Sequence, residues 1–236
     1  MSMPRFLLPA LLVAACGGPP RLAPAAPEAA MGMVDGCRSA FPRPDFRVVH
    51  SLTATLAGDL PGAFLGVTAT GDGGRTFRSE LLSLEGMVLV DVESAGDGIT
   101  VHRALPPLDG EGFAQGMAAD IRLLLFPPGD VPAAVGTDDE GRAVCRWGRE
   151  GGGTTDVAVS GAEGWTLRSW DADGELLREV RATGPFREGF ARRMELTAPG
   201  VRGYSLALEL VEVEATGVDG GGTPRSSAPA GSPLTF

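Results

Sequence analysis

The chain has no lysine and no asparagine, and its 236 residues include one tyrosine, two histidines and three cysteines. Without lysine there can be no lysine Schiff base, no Walker-type phosphate lysine and no Ser-Lys dyad. Two histidines leave little material for proton transfer. His50 shares strand parity with apolar neighbours and reads as a core residue, whereas His102 alternates outward beside Val101. Ser51 next to His50 makes no dyad, because consecutive strand residues point to opposite faces. Metal-ligand spacings such as CxxC and HxxxH are missing, as is a Gly-x-Ser-x-Gly elbow. Asp171-Ala172-Asp173-Gly174-Glu175 starts like a calcium loop but lacks the later ligands, so it reads as a hairpin turn. The glycine-rich stretch from Gly148 to Gly153 has no following Lys-Ser and no helix, which argues against phosphate binding. Neither an enzyme nor a cofactor or metal site is expected. Long apolar runs are also missing. Phe6 to Ala15 is too short to cross a hydrocarbon core of about 30 Å as a stable helix.

That short run is nonetheless informative, because it ends in Val13-Ala14-Ala15-Cys16 after a single basic residue, Arg5. The segment resembles the lipobox of bacterial lipoproteins, in which a signal peptide is removed and the cysteine carries a diacylglycerol. An ordinary secretory signal with a chance cysteine is the alternative. The reading gives a signal peptide over residues 1–15 and lipidation at Cys16. Two or three acyl chains of the palmitate kind there suffice for stable anchoring. Removing Arg5 leaves nineteen arginines against thirty acids, a net charge of −11. Such a surface repels nucleic acid and anionic headgroups, so attachment must come from the lipid. Gly17 and Gly18 follow the cysteine where an Asp retention signal would stand, which favours the periplasmic face of the outer membrane.

Residues 16–45, dominated by Gly, Pro and Ala after the lipidated cysteine, read as a spacer, and residues 216–236 read as a disordered tail. Between them lies one folded domain over 46–215. Abundant Gly and Pro with few aromatics suit a mainly β domain with many turns. Phe46, Val48, His50, Leu52, Ala54 and Leu56 share one parity, and similar runs follow at 63–70, 76–84, 87–94, 99–104, 143–148, 155–160, 165–171, 175–183, 193–198 and 203–214. Short turns such as Gly71-Asp72-Gly73-Gly74 join antiparallel neighbours. The exception runs from Glu111 to Phe126. There Phe113, Met117, Ile121, Leu124 and Leu125 recur every three or four residues, which predicts an amphipathic helix capped by Asp109 and stopped by Pro127-Pro128. Cys37 and Cys145 form an even pair in an oxidising compartment and read as one disulfide, with two unrelated buried thiols as the alternative.

The stretch 79–128, with Leu105-Pro106-Pro107, Asp120 near the helix end and the Phe126-Pro127 stop, resembles an uncharacterised LolB-like branch of the LolA/LolB-like bacterial lipoproteins. Arg122 and Phe126 depart from the amide and Trp of that pattern. The resemblance implies an antiparallel, half-open β-barrel with one lid helix over a hydrophobic-ligand site. It places Val48, Leu52, Val88, Val90, Ile99 and Val101 on the lining strands, with Phe113, Met117 and Ile121 on the helix. A helix closed directly on the sheet as a dry core is the alternative. Receptor-type members touch the membrane through an apolar loop residue, a part that falls here to Leu60 and Phe64, with Phe64 simply starting the next strand as the alternative. The implied function is a non-enzymatic, membrane-anchored lipoprotein that binds or hands over an acylated or hydrophobic molecule. A structural or protein-interaction module of the outer membrane is the rival.

Overall fold

The computed structural model describes residues 18–43, 45–56, 61–96, 98–110, 112–201 and 203–215. The expectations for residues 1–15, for Cys16, for Leu60 and for the 216–236 tail lie outside the described residues. Thirteen strands form one antiparallel sheet: β1 (Ala23–Pro24), β2 (Phe46–Leu56), β3 (Pro61–Gly71), β4 (Thr76–Leu82), β5 (Val88–Ala95), β6 (Gly98–Ala104), β7 (Ala134–Thr137), β8 (Ala143–Gly148), β9 (Thr154–Val159), β10 (Gly164–Trp170), β11 (Leu176–Arg187), β12 (Phe190–Ala198) and β13 (Tyr204–Ala215). Among the described residues two α-helices accompany it, α1 (Pro27–Ser39) and α2 (Phe113–Leu125).

β2 to β6 and β7 to β13 are two meanders, each joined by short turns. They merge where β13 pairs with β2, a long-range ladder running from Leu206↔Ala54 past Leu208↔Leu52 to Val213↔Val48. A register shift between Leu210 and Glu212 lets this long pair bend. β6 is one edge and β1, paired to β7, the other, so the sheet curls without closing. α2 is the link that leads from β6 to β7. The result is the expected mainly β, half-open architecture.

The spacer expectation needs correcting. Residues 23–39 supply β1 and α1 and are part of the fold. Pro27 opens α1, where its missing N–H is harmless, with Glu28 in the first turn and Arg38 in the last. Thirteen residues including two glycines make a poor isolated helix. Tertiary contacts hold it instead. Cys37 is fully buried and bonded to Cys145 on β8, Arg38 Nη2 donates to the Asp130 carbonyl, and Phe41 lies 5.2 Å from the Trp165 ring. β1 approaches β7 so closely that a Cβ on Gly136 would collide with the Ala23 carbonyl. The described residues therefore include the lid helix α2 and a second helix, α1, clipped to the same concave face, since Cys145 shares a rung with Val157, Leu167, Val180, Leu196, Leu206 and Ala54.

α2 begins two residues later than expected. Its N-cap is Gly112, at φ 82°, with no side-chain cap, so Asp109 does not play that part. A residue with a Cβ would be strained there. Its end matches: Phe126 is extended ahead of Pro127. That end is dry. Leu124 and Leu125 are buried, and Phe126 joins Phe46 (6.3 Å) and Phe77 (5.8 Å) in an aromatic cluster. Arg122 Nη2 donates to Ser94 Oγ and the Gly96 carbonyl, both at 2.6 Å, and pins the same end to β5. Asp171 accepts from the backbone N–H of Asp173 (3.0 Å) and Glu175 (2.8 Å), a hairpin turn as read from sequence.

Candidate functional site

Strand register sets out the concave face as rungs. One rung runs Ala182, Met194, Leu208, Leu52, Phe64. The next runs Leu210, His50, Gly66, Leu81, Val90. A third runs Val213, Val48, Thr68, Ser79, Val92. In the middle rung a glycine stands where an inward side chain would be. A Cβ built on Gly66 meets nothing within 4 Å. Gly116 on the facing side of α2 is equally free, and neither residue has a positive φ. No backbone need or close approach calls for glycine at either place, and Gly116 costs its helix about 1 kcal/mol relative to Ala. Both glycines leave room.

The room is a cavity of about 370 Å³ between the sheet and α2. Protein interiors are otherwise packed to crystal density, and an engineered cavity of about 150 Å³ already binds benzene. β2 contributes Leu52 and Ala54 to its wall, β3 Phe64, β4 Leu81, β13 Leu206 and Leu208, and α2 Phe113, Met117, Ile121 and Leu124. Of the lining residues expected from sequence, Leu52, Phe113, Met117 and Ile121 stand here. The other five do not. Val48 is fully buried in the main core and Ile99 packs against it, Val90 is fully buried beside Leu81 on the next strand, Val88 is half-buried, and Val101 is 46% exposed on the β6 edge. The physical reason is the β13–β2 pairing. It puts the hollow over β2–β4 and β13, away from β5 and β6.

The membrane-contact expectation also shifts. Phe64 is no loop tip but an inward residue of β3 that lines the cavity. An exposed apolar pair stands in the β4–β5 turn, where Leu84 is 62% and Met87 52% exposed, and Val131 and Val201 are more exposed still. Leu84 lies three residues beyond Leu81, itself in the cavity wall.

Polar side chains reach the cavity at two places. Asp120 on α2 accepts from Arg178 Nε on β11 (2.9 Å) and from the Tyr204 hydroxyl on β13. The Arg178 guanidinium lies 5.3 Å from the Tyr204 ring centre. Burial pushes the Asp120 carboxyl up, against the pull of Tyr204 and Arg178, and it holds the Tyr204 phenol well above its ordinary range, with Asp120 adding to the effect. This group bolts the lid helix to the strands opposite the Arg122 pin. Sequence reading picked out Asp120 only as part of a motif. Arg178 and Tyr204 gave no signal, since each looks like an ordinary member of its strand.

The second place is His50. It is 5% exposed and lines the cavity, and burial lowers its pKa from 6.5 to about 4. Between those values the unfolded chain binds the extra proton and the folded one does not. Above pH 6.5 both states are neutral and the imidazole adds no pH-dependent penalty; as pH falls toward 4 the unfolded state is favoured by up to about 3 kcal/mol. Urea midpoints at pH 7.5 and 4.5 should show that loss of stability in the wild type, and His50→Leu should remove most of the difference. Equal pH sensitivity in both proteins would refute the assignment. His102, as expected, is exposed, with Nε2 2.9 Å from Glu93.

No protein-family model matches the chain, and no curated protein does. Solved structures do. A LolA superfamily protein from Nitrosomonas europaea superposes with a TM-score of 0.54 at 10% identity, covering 80% of this chain and 94% of its own. A putative outer membrane lipoprotein-sorting protein domain from Vibrio parahaemolyticus (TM-score 0.49, 11% identity, 82% and 95% covered) overlaps more loosely. So does a DUF1329 family protein from Desulfovibrio piger (0.48, 10%, 83% and 94%). The fold is LolA/LolB-like.

Proposed function

We propose that this protein is a non-enzymatic, membrane-anchored carrier that holds an acylated or hydrophobic molecule between its sheet and α2. The observation that carries the reading is the pair of unforced glycines, Gly66 and Gly116, on opposite walls of a cavity of about 370 Å³. An acyl chain entering it gains about 0.8 kcal/mol per buried methylene. Anchoring through Cys16 and residence at the periplasmic face of the outer membrane complete the proposal. The Leu84–Met87 tip is then the surface that meets the bilayer, in the role first assigned to Leu60 and Phe64.

Gly66→Leu tests the cavity without breaking a contact, since its side chain enters open space. In the exported chain carrying Cys16→Ser, purified without detergent, the variant should be at least as stable as its parent. Its affinity for a fluorescent acyl probe should fall at least tenfold. An unchanged affinity, or a parent protein that binds no acyl probe and shows no co-purified lipid by native mass spectrometry, would transfer the reading to a protein-interaction module.

A further inference from the structure

The concave face is not uniformly apolar. Inward positions of β2, β3 and β4 hold His50, Thr68 and Ser79, where alternation elsewhere places Val, Leu and Phe. Register groups the three around Gly66: His50 lies directly across from it, Thr68 is two residues along on the same face, and Ser79 is opposite Thr68. Thr68 Oγ1 and Ser79 Oγ hydrogen-bond one another at 3.0 Å, and all three side chains line the cavity. His50 Nε2 is buried and has no hydrogen-bond partner among the described residues. A buried nitrogen left unpaired is costly, and a leucine at this rung would avoid the cost. Stability alone does not account for an imidazole here. The three rungs around Gly66 hold no charged side chain that could pair an ion.

We infer that the carried ligand is an amphiphile with an uncharged oxygen, a hydroxyl or an ester carbonyl, which hydrogen-bonds the His50 imidazole in the space over Gly66 beside Thr68 and Ser79. A neutral imidazole has one donor and one acceptor nitrogen, so it serves either kind of oxygen. The inference rests on the carrier reading and adds the chemistry of what is carried. Asp120, Arg178 and Tyr204 line the same cavity, with the Tyr204 backbone six residues, about 20 Å, along β13 from the His50 rung.

Probe displacement with dodecane, dodecanol, methyl dodecanoate and dodecanoate separates the possibilities in the exported Cys16→Ser chain. Dodecanol or methyl dodecanoate should bind at least tenfold tighter than dodecane, and the order of these two distinguishes hydroxyl from carbonyl. His50→Leu should abolish that preference while keeping the dodecane affinity, and His50→Gln should restore part of it. The His50 ring ¹⁵N resonances should move on adding the oxygen-bearing ligand and stay in place with dodecane. A preference that survives His50→Leu overturns the inference, as does dodecanoate binding tightest or a wild type that does not distinguish dodecanol from dodecane. Failure of all four to bind defeats the carrier reading itself, which is a different result.

Discussion

Removing the Cys37–Cys145 disulfide is expected to lower stability by about 4–5 kcal/mol, the largest single loss we foresee. The bond closes a loop of 108 residues, so the unfolded chain without it gains much conformational freedom. The folded state loses too. Of the α1 residues only Cys37 is buried, and its two glycines and exposed Met31 leave the helix little else to hold it. Urea unfolding of a Cys37→Ser, Cys145→Ser double variant against the oxidised protein measures the effect. Hydrogen exchange should show α1 losing protection before the central strands. A change below about 1 kcal/mol would mean that α1 packs without its clip.

Arg178→Met should cost about 3–5 kcal/mol, because it strands the Asp120 carboxylate in a buried place. That carboxylate has 8% side-chain exposure and its charged form is held by two donors, one of them Arg178. The bolt joins α2 to β11 and β13, so the variant should loosen the lid as well, with faster probe exchange and reduced protection along α2. The double variant Asp120→Leu, Arg178→Met should recover most of the stability, since an apolar pair can replace a buried ion pair at little cost. If Arg178→Met alone loses under 1 kcal/mol, the pair does not hold the lid. Conversely, a double variant as unstable as the single one would show that the helix–sheet contact itself had been damaged.

Much of the architecture could be read from local pattern. The apolar/polar alternation of Phe46 to Leu56 is β2 residue for residue, and the 143–148 run is β8. Most of the other strands agree within a few residues, and α2 follows its three- and four-residue spacing to Leu125. Such periodicity is a property of ten consecutive residues and survives in the sequence. β1, α1 and β7 were not legible for the opposite reason. Ala23–Pro24 and Ala134–Thr137 are too short to show a period, and α1 is a weak helix whose reason to fold is a cysteine 108 residues away.

The candidate site divides along the same line. The sequence by itself determined which residues share a face: Leu52 with His50 on β2, and Phe113, Met117 and Ile121 on α2. It also pointed to a pairing of Cys37 with Cys145. Only the tertiary structure decided where the hollow lies. Pairing β13 with β2 brings Leu206, Leu208 and Tyr204 beside Leu52 and Ala54, moves Val88, Val90, Ile99 and Val101 out of the lining, and carries Arg178 to Asp120. A side chain's face is set by the local backbone period, but its neighbours across a sheet are set by which distant strand lies next to it. That choice depends on burying the whole concave surface at once, so no short stretch of the chain encodes it.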